Sequence, residues 1–320
     1  MIKKIIKYMF ASFSQRLALN EKNIVRNEQN IKALSRAVTL LYYTNNKPYE
    51  GGISEYPLVS KVCTQEDIDS SWCAYWISAL KIEHIYHRKI WEYAYVSQAL
   101  YNADMLQHGK RGIVFGCGRE PLPSLFASLG CKITATDAPP EKGWKGTTQY
   151  ADSLEMLYFE KIIDKETFKN SVQLEYIDMN NIPENIDGQY DFCWSICALE
   201  HLGSLENGLA FVERSLGLLK KGGIAVHTTE YNISNEGDTI STGDSVLYQK
   251  KHIEPFIQHL CSKGYVIEEP DFSLGNDVFD CFVDMPPYAA DGYEQGGPHI
   301  KLEMGGHTCT CFGIIISKQL

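Results

Sequence analysis

Between Phe10 and Leu41 the apolar residues return every seven positions. Phe10, Leu17, Ile24, Ile31 and Val38 form one row; Phe13, Asn20, Asn27, Leu34 and Leu41 form the second. Two such rows are the a and d positions of a heptad, and a polar residue in the seam fixes register at a cost in stability. The faces between are rich in Glu, Lys, Arg and Asn, which favours self-association over packing of the helix on its own domain. A homo-oligomer held through this N-terminal helix is the expectation.

The pattern breaks at Asn45-Asn46-Lys47-Pro48-Tyr49-Glu50-Gly51-Gly52, a run of turn residues. Thr64-Gln65-Glu66-Asp67 resembles a capping box. Helical periodicity then returns from Trp76 to Leu106, a stretch expected to pack over the edge of a sheet. From Arg111 strands and helices alternate, the sign of a parallel sheet. Strands are predicted at 112–115, 132–136, 173–177, 190–195 and 224–228, with two more at 278–283 and 309–317. Helices are predicted at 122–129, 205–219 and 250–263; Lys220-Lys221-Gly222-Gly223 would stop the second of these and Gly264 the third. The predicted organisation is an amphipathic helix over 1–45, a helical cap over 46–108 and an α/β domain over 109–320.

Composition narrows the function classes. A chain of 320 residues, 44% hydrophobic and 22% charged, is an ordinary globular protein. The formal net charge of −10 disfavours duplex nucleic acid, whose phosphates demand Lys and Arg. The 10 cysteines are scattered through apolar runs and read as reduced core thiols, which points to the cytoplasm. Met1 to Phe10 is basic and apolar but too short to span a bilayer; it offers at most peripheral contact with a membrane surface.

Candidate chemistry gathers after the first predicted strand. Gly116-Cys117-Gly118-Arg119-Glu120-Pro121 opens a helix, and glycines there let backbone N–H groups approach a ligand. Asp137 closes the second strand about 20 residues later, where an acid binds ribose hydroxyls. A dinucleotide needs a third glycine for close approach of its pyrophosphate, and Glu120 stands in that region. Adenosylmethionine carries no phosphate and brings a cationic sulfonium and an amino-acid tail. The loop therefore favours methyl transfer over hydride transfer.

The segment from Arg111 to Asp137, together with Tyr190-Asp191-Phe192-Cys193-Trp194-Ser195, Leu199-Glu200-His201-Leu202 and Leu218 to Val226, resembles the class I S-adenosylmethionine-dependent methyltransferases, and among them those that modify bacterial surface glycans or sugars. The resemblance implies an α/β fold: a Rossmann-like, seven-stranded, mostly parallel sheet with flanking helices. It implies that Gly116 and Gly118 line the methionine part of S-adenosylmethionine, that Asp137 holds the ribose, and that Asp178 and Met179 meet the adenine. Ser195 is expected beside them. The family's first-motif acid falls at Val114 and its third glycine at Glu120, so Glu120 is the candidate partner of the cofactor's ammonium.

Ligands in such sheets sit beyond the carboxyl ends of the strands, which makes His227 and His201 the candidates for removing an acceptor proton, with Glu230 as orienter or alternative base. Glu200-His201 is also similar to the end of a metal-binding Glu-x-x-Glu-His pattern. Cys197 replaces its first Glu and is ill-matched to Mg²⁺, so no metal is expected. The Gly/Pro-rich loops 284–288, 296–299 and 304–307 read as acceptor-binding material. The expected activity is O-methylation of a small polar acceptor such as a sugar or glycan precursor. The alternatives are methylation of RNA or another macromolecule, and an inactive binding or scaffold protein.

Overall fold

The structure, a computed structural model, describes the chain except residues 1, 44–48, 146, 148, 287, 289–296 and 320, and leaves the side chains of 2–12, 42 and 43 undescribed. Residues 45–48 of the predicted break therefore lie outside it. In chain order the elements are α1 (Ile2–Tyr43), β1 (Lys61–Val62), α2 (Gln65–Ile68), α3 (Ser71–Leu80), α4 (Arg88–Asn102), β2 (Arg111–Phe115), α5 (Leu122–Ser128), β3 (Lys132–Asp137), α6 (Lys165–Ser171) and β4 (Val172–Tyr176). They continue with β5 (Tyr190–Ile196), β6 (Gly203–Ser204), α7 (Leu205–Leu216), β7 (Leu219–Asn232), β8 (Thr242–Gly243), α8 (Lys250–Ser262), β9 (Tyr265–Val266), β10 (Val283–Asp284), β11 (Lys301–Met304) and β12 (His307–Lys318).

Strands β4-β3-β2-β5-β7 run parallel side by side. Numbered by their own sequence order this is 3-2-1-4-5, the doubly wound arrangement whose order reverses between its first and fourth strands. β12 then lies antiparallel against β7 along its length, from Cys309 opposite Asn232 to Ser317 opposite Ile224. Among the described residues the sheet has ten strands, not the seven expected. The extra ones arise at the far edge of β12, where a single row is built from three pieces: β9 against Ser317 and Lys318, β1 against Phe312 and Gly313, and β11 against 307–309. β10 extends the row by pairing with β11. The strand expected at 278–283 is replaced by Lys301–Met304 in this edge.

Two helical expectations change as well. The stretch 76–106 divides into α3 and α4, because Lys81 ends α3 in the left-handed conformation (φ 56°), and His87, whose Nδ1 accepts from the Lys89 N–H, starts a new helix. The helix over 205–219 stops at Leu216, and Lys220 to Gly223 already belong to β7. The expected cap at Thr64 forms, its side chain accepting from the Asp67 N–H, and Ser204, which was not anticipated, caps α7 in the same way from Asn207.

Helices cover both faces. On one, α3, α4 and α5 bury Trp76, Trp91, Tyr95 and Phe126 against Val114, Phe192, Trp194, Val226 and Cys311; on the other, α7 and α8 bury Phe211 and Ile257 against Ile113, Phe115, Cys193, Ala225 and Phe312. Successive strand residues alternate between the two cores, as a pleat requires. Among the described residues no helix is long and apolar enough to cross a membrane.

Candidate functional site

The parallel strands end at one rim, where the β2–α5 loop, the exits of β3, β4, β5 and β7, and the start of α4 come together. Gly116 and Gly118 leave β2 with φ of 61° and 48°, a region open to glycine and costly for other residues. A Cβ on Gly116 would stand 2.7 Å from the Ala198 Cβ and 3.7 Å from the Met179 Sδ; one on Gly118 would stand 2.7 Å from the Gln149 carbonyl oxygen. The loop is thus a backbone-lined cradle between the exits of β4 and β5, at the reversal of strand order.

Asp137 ends β3 with its carboxylate turned toward this loop. Oδ2 accepts from the N–H groups of Gly118 and Ala151, each at 3.1 Å, and Oδ1 from Ala138 at 2.8 Å. Burial raises its pKa, and those N–H groups with the Cys117 thiol work against the rise. Gly118, Ala151 and the Cys117 thiol all converge on Oδ2, whereas Oδ1 accepts from Ala138 alone and has room for a further hydroxyl. Asp178 accepts from the Asn180 N–H at 3.0 Å, a turn contact, and pairs with Lys142 at 2.9 Å. Partial burial pushes its carboxyl up, but Lys142 and Asn180 prevail and hold it below the usual range. Met179 packs against Gly116 beside it.

Glu120 lies beneath the loop, buried, with Oε1 accepting from the Trp194 indole N–H at 2.7 Å. Burial pushes its carboxyl up to about 8; the indole and Lys89 oppose the shift without cancelling it. The acid is therefore mostly neutral at pH 7.

The structure does not bring His227 and Ser195 to this rim. Pleat parity turns both to the opposite face, under α7. There the Ser195 Oγ lies 2.8 Å from His227 Nδ1, the Ser215 Oγ lies 3.1 Å from Nε2, and the Phe211 ring packs edge-on. Both ring nitrogens are engaged in a dry core, and burial lowers the imidazole pKa to about 3. His227 is a core histidine on this geometry, and Ser195 is its partner rather than the cofactor's. Glu230, three residues further on, points to the α4 face. His201 sits on the rim, its Nδ1 2.7 Å from the Asp244 carbonyl and its ring against Trp144.

What gathers at the carboxyl ends of β5 and β7 is a buried charged cluster supplied largely by α4. Arg88 Nη1 binds Glu230 Oε2 at 2.6 Å, and Lys89 Nζ binds Glu92 Oε1 at 3.0 Å. Glu92 Oε2 accepts from Thr228 and from the Cys197 thiol at 2.9 Å. Cys197, held at φ 44° between β5 and the following turn, also lies 3.5 Å from Cys311 Sγ. Glu200 accepts from Thr229 at 3.1 Å through Oε2.

Burial works against both cations. Glu230 nevertheless keeps Arg88 charged, and Glu92 keeps Lys89 so. Burial likewise pushes Glu92 up, but Lys89, Cys197 and Thr228 outweigh it and hold the carboxyl low. Glu200 is raised by burial and by Glu230, with His201 opposing. Three buried atoms here, Glu92 Oε1, Glu200 Oε1 and Arg88 Nε, have no hydrogen-bond partner among the described residues, and of these Glu92 Oε1 has the Lys89 ion pair. Such atoms are rare in folded proteins and call for an occupant.

Glu92, Cys197 and Cys311 are one set of atoms close enough to share a metal ion, and Cys197, Glu200 and Glu230 are another. Arg88 and Lys89 already supply the positive charge a divalent ion would bring. Arg88, Lys89, Glu92 and Cys311 were not among the expected site residues, and a pair of cations opening a helix with an acid one turn on is too common a pattern to mark a site. Nor was the wall over the loop, Lys142, Trp144 and 149–151, among them; it lies in the aperiodic stretch between β3 and β4.

No family model and no curated protein matches the chain. Solved structures to which the chain is similar include the [4+2]-cyclase SpnF, at 18% identity over 56% of this chain and 60% of that one, with a TM-score of 0.40. Another is a SAM-dependent methyltransferase from Aquifex aeolicus, at 14% identity over 69% and 88% with a TM-score of 0.37. A third is geranyl diphosphate methyltransferase in complex with GPP and sinefungin, at 14% over 57% and 64% with a TM-score of 0.38. The chain thus spans less than two thirds of the length of SpnF. Identities and scores this low assign no activity to it.

Proposed function

We propose that the protein is an S-adenosylmethionine-dependent methyltransferase that acts on a hydroxyl of a small polar acceptor, such as a sugar or glycan precursor. The observation that carries this reading is the 116–120 loop: two left-handed glycines form a cradle at the strand-order reversal, and a buried acid stands where a dinucleotide would need a third glycine. The cofactor supplies an electrophilic methyl group on a sulfonium. Gly116 and Gly118 would line its methionine part with bare backbone, Asp137 would offer Oδ1 to its ribose, and Met179 with Asp178 would wall its adenine. Glu120 would take its ammonium.

The acceptor belongs beside the charged cluster. An attacking hydroxyl must lose its proton, and a base works best when its pKa approaches the ambient pH. Glu200 is the candidate: its carboxyl is raised and its Oε1 is unengaged, whereas Glu230 is committed to its ion pair with Arg88. In this reading Glu200 holds the proton and Arg88, steadied by Glu230, orients the acceptor oxygen.

Calorimetric titration tests the cofactor: adenosylmethionine and adenosylhomocysteine should bind, NAD should not, and binding of NAD alone would discard the proposal. Methyl transfer to a panel of sugars should fall by roughly 10²–10⁴ in Glu200→Gln with adenosylmethionine affinity unchanged. Undiminished transfer removes Glu200 as the base. His227→Gln should leave transfer per folded molecule within a few-fold of the parent.

A further inference from the structure

The long N-terminal helix turns its polar face to its own protein. Along the described part of α1, the positions less exposed than their neighbours are Glu28, Lys32, Ser35, Val38 and Thr39. Glu28, Lys32, Ser35 and Thr39 follow one another at spacings of four, three and four, which is a single helical face. That face meets the domain: Lys32 Nζ lies 3.7 Å from Asp284 Oδ1 and donates to the Met285 carbonyl, and Thr39 is buried. The heptad row is left in solvent, with Leu17 47%, Ile24 57%, Ile31 55% and Leu34 67% exposed. Among the described residues of that row, Val38 alone packs against the core. A continuous apolar stripe of this kind on a folded surface marks an interaction site.

We propose that residues 10–34 pair with the same residues of a second copy of this chain as a parallel, in-register, two-stranded coiled coil. The occupant follows from the seam and its flanks. With Leu17, Ile24 and Ile31 at a, Arg16 occupies g and Glu21 the e position of the next heptad. In a parallel pair g of one helix faces that e of the other, so Arg16 meets Glu21 of the second copy, twice by symmetry. Asn20 and Asn27, both at d, meet their own counterparts across the axis. Antiparallel pairing does the reverse: it sets the e-position glutamates Glu21 and Glu28 in one row and places both asparagines against apolar a residues. The domain side of α1 lies at e and b in its C-terminal half, so the pairing ends near Leu34, where the helix docks. This inference is independent of the proposed activity.

The test uses the full-length chain with its two exposed cysteines replaced, Cys261→Ser and Cys281→Ser. Light scattering should give twice the chain mass. Arg16→Glu and Glu21→Arg should each weaken association about tenfold, and the double variant should restore it. Five positions separate the two residues within one helix, beyond the reach of an intrahelical pair. Asn20→Cys should cross-link the dimer under mild oxidation. A monomeric parent, or a double variant no tighter than either single, overturns the proposal; a dimer that Asn20→Cys fails to cross-link overturns its parallel register.

Discussion

Glu120 is where burial and a charged ligand would pull in opposite directions. Its carboxyl titrates at about 8 in the folded chain against an ordinary 4.5, because the Trp194 indole alone does not replace the lost water. The raised value means that folding prefers the protonated acid. Its contribution to stability is complete below pH 4.5, falls as pH rises and levels off above about 8. If Glu120 receives the cofactor's ammonium, binding needs the ionised form and shows the opposite slope. Affinity for adenosylmethionine should rise by up to tenfold per pH unit to about pH 8, then flatten. At pH 7 binding should release a proton, visible as a dependence of calorimetric heat on the buffer's ionisation enthalpy. Glu120→Gln should remove both slopes; a pH-independent affinity in the parent would exclude Glu120 from the ammonium site.

The same residue scale shows what a sequence can and cannot disclose. Gly116, Gly118 and Asp137 were legible because a strand, its exit loop and the next strand's end are short-range features with fixed spacing. Ser195 and His227 stood at strand exits too, but they face away from the rim. Glu230 differs from His227 by an odd number of residues, and the pleat alone separates them once the register is known. Arg88, Lys89 and Glu92 carry no local mark of function. Their importance comes from a fold that lays α4 over β5 and β7, roughly a hundred residues later in the chain.

Among whole elements, β2, β3 and β5 were readable to within a residue or two, since they are buried on both faces and bounded by turns, whereas β7 runs from Leu219 to Asn232, well past the 224–228 expected. The edge was not. β1, β9 and β10 are two residues long, and hydrophobic periodicity has no meaning at that length. β1 is fixed instead by what surrounds it. Lys61 Nζ lies 2.8 Å from Asp67 Oδ1, and Asp67 Oδ2 accepts from the Trp91 indole N–H at 2.9 Å, so one carboxylate joins the edge strand to α2 and α4. Burial pushes Asp67 up and Lys61 opposes it; without the ammonium the carboxylate keeps its desolvation penalty. Lys61→Ala should therefore cost about 2–4 kcal/mol, read as a lower urea midpoint with an unchanged slope. A loss under about 0.5 kcal/mol would show that water replaces the ammonium and that β1 is held by its backbone pairing with β12 alone.

Across the molecule, the boundary expected near residue 109 meets a continuous core. Trp76, Trp91 and Tyr95 from α3 and α4 share one cluster with Phe126, Phe192 and Trp194, and β1 fills the middle of the row beside β12. We therefore propose that residues from 49 onward fold as one unit and that only α1 is separable. Deleting residues 1–43 removes few buried side chains and should leave a single cooperative unfolding transition close to the parent's. Deleting residues 1–108 strips the cover from Val114, Trp194, Val226 and Cys311. It also takes away the partners of Glu230 and Thr228, and leaves a gap in an edge that otherwise templates aggregation. That fragment should lose its near-ultraviolet circular dichroism and aggregate. If it instead unfolds cooperatively, or the longer chain melts in two steps, then α2 to α4 form a separable lid, and the charged cluster they bring to the rim assembles only when that lid is closed.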